Sequence, residues 1–460
     1  MSGNTAYEAI EKYRGELEEL SLKIWENPEG PYKEHNACKW TAELLEKHGF
    51  HVEIGAGGVP TAIKASFGEG HPVIGFLGEY DALPGLSQEK CTVQKPIEGQ
   101  VYGHGCGHNL LGVAHVGAVL GLKDEMIERG LKGTIIYYGC PAEEVLTGKS
   151  FMARGGAFDG LDTAIAFHPG TMNVVDVGNS LALNSVKFHF VGKTAHAGGD
   201  PHNGRSALDA VEITSVGANY LREHVTTDVR IHYVITEGGT APNIVPDSAT
   251  VWYYVRAPKR EKVEEVYQRL IKVAEGAAHM TETKLEINFL GGCYQTLNNH
   301  VLAKVVHEAM NAIPQEPWSA EEIKMAREMN QFDPQLAEAI RKAASLPADA
   351  EIFTGVMPIV NEGNAGSTDV GDVAYIAPTI FFSTACYNLG APGHSWQITS
   401  SSGSSIGQKG MIYASKIMAK FGLDMIEKPE ILKEAKAEFD EKTGGAPYKC
   451  PIPDDIKIPE

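Results

Sequence analysis

The chain has 460 residues, of which 43% are hydrophobic and 22% are charged, so it is long enough for two or more domains with sizeable cores. Its formal net charge of −19 argues against nucleic acid or an anionic membrane as the main partner. The seven cysteines are scattered without the spacing of a disulfide framework, which indicates a reducing compartment. Because the N-terminus lacks the apolar core of a signal peptide and no apolar run is long enough to span a membrane, we predict a cytoplasmic protein.

Apolar strands alternate with helices in the first part of the chain. Residues 73–77, 134–138 and 163–167 are continuous apolar runs, which are typical of buried strands. A helix is expected over residues 109–122, with its first residue as the N-cap. A fourth apolar run, residues 379–382, lies late in the chain. This pattern predicts an α/β domain with a mixed, mostly parallel sheet covered by helices.

The segment between residues 183 and 293 has a different order of predicted strands and helices. Its elements follow the order strand, helix, two strands, helix and strand, over residues 186–191, 206–224, 230–236, 250–256, 261–279 and 284–290. This order predicts a ferredoxin-like α+β unit with a four-stranded antiparallel sheet. We interpret it as a domain inserted into an α/β domain of residues 1–182 and 294–460, because the candidate functional residues lie on both sides of it. A charged helical stretch at residues 319–345 and the tail after Glu427 are expected at the periphery.

The most informative segment is the glycine-rich run Gly103-His104-Gly105-Cys106-Gly107-His108-Asn109. Its cysteine and second histidine lie two positions apart in a turn, so both can point into one site. Further candidates follow apolar strands or lie late in the chain: Glu143-Glu144, His168 and His394. Thiolate, imidazole and carboxylate are the ligands of zinc and of neighbouring divalent ions, and open α/β sheets place their sites past the C-terminal ends of strands. The set predicts a metallohydrolase with a second carboxylate as base.

The order Cys-x-His, Glu-Glu, His, inserted domain and late Gly-His resembles the zinc-peptidase-like amidohydrolase family, which includes aminoacylases, indole-acetyl-amino-acid hydrolases and carboxypeptidase G. The likeness extends from about Tyr13 to Lys420 and is strongest to the branch of the B-type p-aminobenzoyl-glutamate hydrolase subunits. Four segments carry that likeness: residues 103–109, 241–243, 367–373 and 394–397. Two departures stand out. Glu79-Tyr80-Asp81 occupies the strand end where the carboxypeptidase G branch has His-x-Asp, and Asn109 stands where an aspartate is usual.

The resemblance implies two divalent metal ions per subunit. Their ligands would be Cys106, His108, Glu144, His168 and His394. The mixed sulfur, nitrogen and oxygen donors favour zinc or manganese. Glu143, whose side chain diverges from that of its neighbour, is then free to act as the catalytic base. Asp81 is expected to orient a ligand histidine.

The inserted domain contributes further candidates. His196 resembles the family's lid histidine, which donates to the scissile carbonyl oxygen in the site of the partner subunit. Asn243 resembles the lid amide that contacts substrate. Arg256, at the end of an apolar strand, is a candidate to bind the substrate's carboxylate as a fork, and Arg205 is a second candidate that fits a surface role equally well. We expect residues 183–293 to be a lid and dimerisation domain, in a homodimer or with an unlike second subunit.

Together these features predict a metal-dependent amidohydrolase. It would cleave the amide bond of an N-acyl or N-aroyl amino acid, similar to p-aminobenzoyl-glutamate, by means of a metal-activated water and a glutamate base. Within the same class, a dipeptidase or an aminoacylase is the alternative. In other classes, Cys106 could be a thiol nucleophile with His108 or His104 as base, or the chain could be a non-catalytic partner of an active subunit. The intact Glu143-Glu144 pair argues against the last.

Overall fold

The computed structural model describes residues 4–363 and 365–459. The strands are β1 (His51–Ile54), β2 (Ile63–Glu69), β3 (Val73–Glu79), β4 (Leu83–Pro84), β5 (Tyr102–Gly103), β6 (Gly133–Cys140), β7 (Thr163–Gly170), β8 (Ala182–Val191), β9 (Arg230–Glu237), β10 (Ser248–Ala257), β11 (Lys284–Cys293) and β12 (Thr379–Ala385). The α-helices are α1 (Asn4–Glu26), α2 (His35–Lys47), α3 (His108–Arg129), α4 (Gly148–Arg154), α5 (Ala207–Leu221), α6 (Arg260–Thr281), α7 (His300–Ala312), α8 (Ala320–Asn330), α9 (Pro334–Ala343), α10 (Val370–Ala374), α11 (Trp396–Ser402), α12 (Ser405–Glu427) and α13 (Pro429–Thr443).

The larger sheet has six strands in the order β1-β2-β6-β3-β7-β12. Strands β6, β3, β7 and β12 are parallel, and β1 and β2 join antiparallel at one edge. The central strand β3 is buried from its second residue onwards, because helix α3 packs on the sheet and is itself covered by α1 and α12. A strand covered on both faces has a continuous apolar sequence, which is why its position could be predicted. The predicted mixed, mostly parallel sheet is confirmed.

The second sheet is antiparallel, with the strand order β11-β8-β10-β9. Buried and half-buried residues alternate along β10, because helices α5 and α6 pack on the sheet. The side chain of Ser206 caps α5 by accepting a hydrogen bond from the Asp209 N–H. The predicted order of elements is confirmed. We retain residues 1–182 with 294–460, and residues 183–293, as the proposed division into domains.

The predicted N-cap of α3 is wrong. The helix begins at His108, and Gly107 precedes it in the left-handed conformation with a φ of 79°. The Asn109 side chain instead donates hydrogen bonds to Ser21 Oγ at 3.1 Å and to the Ser402 carbonyl at 3.0 Å. This asparagine therefore holds α3 to two other parts of the chain, a role that local sequence does not reveal.

The two segments that we expected at the periphery have different outcomes. Residues 319–345 form two helices rather than one stretch, because Asp333 caps α9 and Pro334 begins it. The tail after Glu427 contains α13 and then returns to the molecule. There the Tyr448 hydroxyl donates to Asp372 at 2.6 Å, and Ile452 is buried. The expectation of a peripheral tail is therefore wrong for this last part.

Two further findings bear on the composition. All seven cysteines are free thiols, and Cys38, Cys140, Cys293 and Cys386 are buried core residues. No helix within the described residues is long and apolar enough to cross a membrane.

Candidate metal centre and active site

The candidate site lies at the C-terminal ends of the central parallel strands. Glu79, the last residue of β3, is in register with Cys140, the last residue of β6. The Glu143-Glu144 turn follows β6, and His168 lies near the end of β7. Because the C-terminal ends of parallel strands meet at one edge of a sheet, these segments converge there.

The glycine-rich turn is held in place by close packing against Tyr387. The tyrosine hydroxyl donates to the Cys106 carbonyl oxygen at 3.0 Å. A Cβ on Gly107 would lie 2.0 Å from the same hydroxyl, and this residue also has a positive φ, so only glycine fits. The turn directs the Cys106 side chain towards β7, where Sγ lies 3.2 Å from Nε2 of His168.

All five predicted ligands and two acidic neighbours converge in three overlapping groups. Within each group, one potential ligand atom per residue lies within 4.8 Å of the others. The groups are Cys106 with His108 and His168, Cys106 with Glu144 and His394, and Glu79 with His108 and Glu143. Cys106 belongs to two groups and His108 to two, so the three groups form one continuous cluster.

The residues present fit divalent cations. His108 Nε2 and Glu144 Oε1 are buried and have no hydrogen-bond partner within the described chain. Around them lie five buried carboxyl groups and a single buried ammonium, that of Lys149. The carboxyl groups are those of Glu79, Asp81, Glu143, Glu144 and Asp369. Buried charges and unpaired polar atoms are costly unless they are compensated. Bound cations would compensate both.

A tight turn presents the two adjacent glutamates to the cluster. The 3-10 turn Glu143–Val145 is flanked by Ala142 and Leu146, both in the left-handed conformation, with φ of 56° and 60°. Non-glycine residues in this region are strained and are often found at functional sites. The Oε2 of Glu143 and the Oε1 of Glu144 each lie 3.9 Å from His108 Nε2, and Glu144 Oε2 lies 3.7 Å from Nε2 of His394.

Burial and crowding disfavour the ionised form of both glutamates. Burial first, then the nearby charges of Glu79 and Glu144, hold the pKa of Glu143 well above its usual value. Burial also raises the pKa of Glu144, to about 7, against the opposing effect of His108. A carboxylate with a raised pKa is a stronger proton acceptor, which suits a general base.

Asp81 orients the centre through two hydrogen bonds. Its Oδ1 accepts from Nδ1 of His108 at 2.9 Å, and its Oδ2 accepts from the backbone N–H of Glu144 at 2.9 Å. With Nδ1 as the donor, the neutral ring of His108 directs the lone pair of Nε2 towards the cluster. Burial opposes the ionisation of Asp81, but the charge and hydrogen bond of His108 outweigh it and lower the pKa of the carboxyl group.

Sequence reasoning misses two residues of this centre. From the sequence, Glu79 is noted only as part of a strand-end motif, and Lys149 is not noted at all. The Lys149 ammonium is fully buried and lies 2.5 Å from Glu79 Oε1 and 2.7 Å from Asp369 Oδ1. A Cβ on Gly148 would lie 1.6 Å from the Pro141 carbonyl oxygen, so this glycine lets α4 approach closely. Glu79 could have been suspected from its position beside Asp81, whereas nothing local distinguishes a buried lysine from an exposed one.

The lid candidates lie in the second unit and make other contacts. His196 is exposed, and its Nδ1 accepts hydrogen bonds from the N–H groups of Gly198 at 3.2 Å and Gly199 at 2.9 Å. The Ala197 N–H donates to the Asn243 carbonyl at 3.0 Å, so the loops of His196 and Asn243 are adjacent. Within residues 4–363 and 365–459, neither side chain forms a hydrogen bond or ion pair with the cluster of candidate ligands.

The two candidate arginines differ in their contacts. Arg256 donates from Nη1 to the Ala365 carbonyl at 3.4 Å, and its Nε is buried without a partner in the described chain. Arg205 is paired with Glu282 at 2.6 Å on the surface. Neither arginine forms a hydrogen bond or ion pair with the cluster of candidate ligands, as far as the described residues show.

Several known proteins are similar to this chain in sequence or in fold. The peptidase dimerisation domain of the M20 family matches residues 182–281. The p-aminobenzoyl-glutamate hydrolase of Escherichia coli (strain K12) has a B-type subunit that is 38% identical over 466 residues, which cover 98% of this chain and 97% of that protein. The Xaa-Arg dipeptidase of Mus musculus is 29% identical over 450 residues, which cover 94% and 91%.

A solved structure from Bacillus subtilis, described as a dinuclear metal binding peptidase from the M20 family, has the same fold. It aligns with a TM-score of 0.58 at 17% identity and covers 91% of this chain and 99% of that one. The family is shown by the 38% identity to the Escherichia coli subunit over nearly the whole chain, together with the matching dimerisation domain. The chain belongs to the M20 peptidase family and is a metal-dependent amidohydrolase of that family.

Proposed function

We propose that this protein hydrolyses the amide bond of an N-acyl or N-aroyl amino acid, with p-aminobenzoyl-glutamate as the first candidate. The observation that carries the proposal is the buried cluster of cysteine, histidine and glutamate, with its unpartnered His108 Nε2 and Glu144 Oε1. The p-aminobenzoyl type of substrate is suggested by the name of the 38% identical relative. A dipeptide substrate is the second candidate, because the 29% identical relative is named for that activity.

Two divalent cations would be held by five side chains: Cys106, His108, Glu144, His168 and His394. When bound, they would polarise the scissile carbonyl and lower the pKa of a water molecule. The mixed donor set favours zinc or manganese. Asp81 would keep His108 in the tautomer that presents Nε2 to a cation, since its Oδ1 accepts from Nδ1 at 2.9 Å.

Glu143 would accept the proton of the attacking water and deliver it to the leaving amine. Its side chain is buried beside the proposed ligands, and burial raises the pKa of its carboxyl group. A base that takes up a proton in one step must release it in the next, and a raised pKa favours the uptake of the proton from water.

His196 would act on the site of a partner subunit. Because its Nδ1 accepts from two backbone N–H groups, the proton of the neutral ring resides on Nε2, which can then donate to a developing oxyanion. The dimerisation domain at residues 182–281 supports a dimer, and a two-fold arrangement would make the exchange of lid residues reciprocal. The 38% identical relative is named as one of two kinds of subunit in its hydrolase, which keeps an unlike second subunit as the alternative to a homodimer.

The substrate's carboxylate would be bound by Arg256, whose Nε is buried without a partner among the described residues. Arg205 would first have to leave Glu282, so we rank it second. Asn243, on the loop beside His196, would contact the substrate amide. A cytoplasmic location is part of the proposal, since all seven cysteines are free.

The test is a panel of p-aminobenzoyl-glutamate, hippurate, N-acetyl amino acids and dipeptides, assayed with the protein reloaded with zinc or manganese. Amide hydrolysis that is lost on chelation and restored by metal supports the proposal. Activity that survives chelation but is abolished by iodoacetamide would favour Cys106 as nucleophile. No hydrolysis of any substrate by fully metal-loaded protein would favour a partner subunit without activity of its own.

A further inference from the structure

Glu79 occupies a position in the centre that none of the proposed roles explains. It ends β3 two residues before Asp81 and is 3% exposed. Its Oε1 is bound by the Lys149 ammonium at 2.5 Å, while its Oε2 lies 3.4 Å from Nε2 of His108. The carboxylate therefore has one oxygen tied to a lysine and the other directed into the cluster.

The contact between Glu79 and His108 is favourable when a cation, or a proton on Nε2, lies between the two atoms. Nδ1 of His108 is the donor to Asp81, so the neutral ring has its lone pair on Nε2, and this atom has no hydrogen-bond partner in the described chain. A carboxylate oxygen and an imidazole lone pair repel one another when they are buried and face to face. Ligand atoms about 2.0–2.2 Å from one tetrahedral ion lie roughly 3.3–3.6 Å apart, and the separation of 3.4 Å falls in this interval.

The surroundings of Glu79 hold it in this orientation. Lys149 is fully buried and is bound on its other side by Asp369 Oδ1 at 2.7 Å. Oδ2 of the same aspartate accepts the Lys149 backbone N–H at 2.8 Å, so the lysine is fixed at both ends. A buried lysine is costly unless it is paired, and this one is paired with two carboxylates, one of which faces the cluster.

We propose that Glu79 is a further ligand of the metal centre, sharing with His108 one of the two ions, and that Lys149 and Asp369 are its positioning residues. This inference rests on the proposed metal centre. It adds a second oxygen donor to the predicted set of five, in which Glu144 is the first, and it assigns a role to the buried lysine. The carboxypeptidase G branch has His-x-Asp at this strand end. In this chain Glu79 stands in place of that histidine and Asp81 is kept, so a ligand would remain at the same position.

The test is zinc binding by the full chain, stripped of metal and titrated with Zn²⁺ alone in competition with a chelating dye. Glu79→Gln keeps the volume of the side chain and an oxygen for Lys149 but removes the charge at Oε2. We expect one of two zinc ions to be lost or bound at least about tenfold more weakly. Lys149→Met should weaken the same site by releasing the carboxylate.

A matched control is Asp372→Asn. Asp372 is equally buried and accepts from Ser150, the neighbour of Lys149, at 2.9 Å, but it faces the C-terminal tail. This variant should bind two zinc ions with wild-type affinity, which separates a ligand role from a general loss of packing. If Glu79→Gln does not fold, Glu79→Asp keeps the charge next to Lys149 and withdraws the carboxylate by about 1.5 Å, the length of one C–C bond.

Two zinc ions bound with unchanged affinity by a folded Glu79 variant would overturn this inference and leave the proposed function intact. A wild-type chain that binds no zinc and no manganese would overturn both. Weakened zinc binding by the Glu79 and Lys149 variants, with Asp372→Asn unchanged, supports the assignment whatever the substrate is.

Discussion

Replacing the proposed base tests the chemistry of the site most directly. Glu143 is only 8% exposed, but in Glu143→Gln the amide has the volume of the carboxyl group, so the substitution creates no cavity. The change also removes an ionisable group from beside Glu79 and Glu144, whose charges, together with burial, disfavour its ionised form. We therefore expect the variant to fold and to retain its metal.

The expected loss of activity follows from the neighbouring groups. Glu144 is a proposed ligand, and Glu79 is held by Lys149 at 2.5 Å, so neither carboxylate is free to replace the base. General base catalysis contributes about 10²–10⁴ in rate, which corresponds to a barrier higher by about 3–5 kcal/mol. Because Glu143 is not assigned to substrate binding, KM should change by no more than about twofold.

The assay is steady-state hydrolysis of the best substrate, with metal content measured on the same preparation. The exposed Glu46→Gln, on helix α2, is the control for the chemical change and should behave as wild type. Retention of more than about a tenth of kcat by fully metal-loaded Glu143→Gln would refute the assignment. A fall in kcat that tracks a loss of metal would mean that Glu143 is a ligand instead.

Three further predictions follow from the site and its surroundings. Glu144→Gln should lower metal occupancy, measured by elemental analysis after dialysis; unchanged occupancy would indicate that the two glutamates have exchanged roles. Homodimers of His196→Ala and of Glu143→Gln should both turn over poorly, yet mixing them with subunit exchange should restore up to about a quarter of wild-type activity, since half the dimers are mixed and half their sites are intact. No recovery despite proven exchange would exclude action of His196 in the partner's site. Burial raises the pKa of the Asp372 carboxyl group to about 7 from its ordinary 3.8. The folded chain therefore keeps this proton to a higher pH than the unfolded chain does. As a result, the free energy of unfolding should fall as the pH rises from about 4 to 7. Between pH 4 and pH 8, the free energy of unfolding measured by urea titration should fall less in Asp372→Asn than in the wild type, by up to about 4 kcal/mol. Parallel pH profiles of the two proteins would contradict this reasoning.

The elements that could be predicted are those whose pattern is local. The strand β3 is continuous and apolar because it is buried on both faces, and β10 alternates because helices cover one face. Cys106 and His108 can be found because their spacing in a glycine-rich turn is itself a signal, and His168 because it follows an apolar strand.

The assembly of the ligands could be anticipated only through the order of motifs and the resemblance to a family. His394 lies more than two hundred residues after His168, and no periodicity connects them. Their meeting depends on the parallel pairing of β7 with β12 and on the loop that leads from β12 to α11. Local sequence does not encode such pairings.

The sequence by itself determined which reactive groups are present, namely the thiolate, the imidazoles and the paired glutamates. It also determined the two kinds of sheet. Only the tertiary structure decided which polar residues face the centre and which serve the scaffold. Asn109 has the local pattern of a helix cap and instead joins three segments, while Lys149 gives no local signal and is the fully buried partner of Glu79 and Asp369. The physical reason is that burial and pairing of a charged side chain are set by residues distant in the chain, at costs that no local propensity reflects.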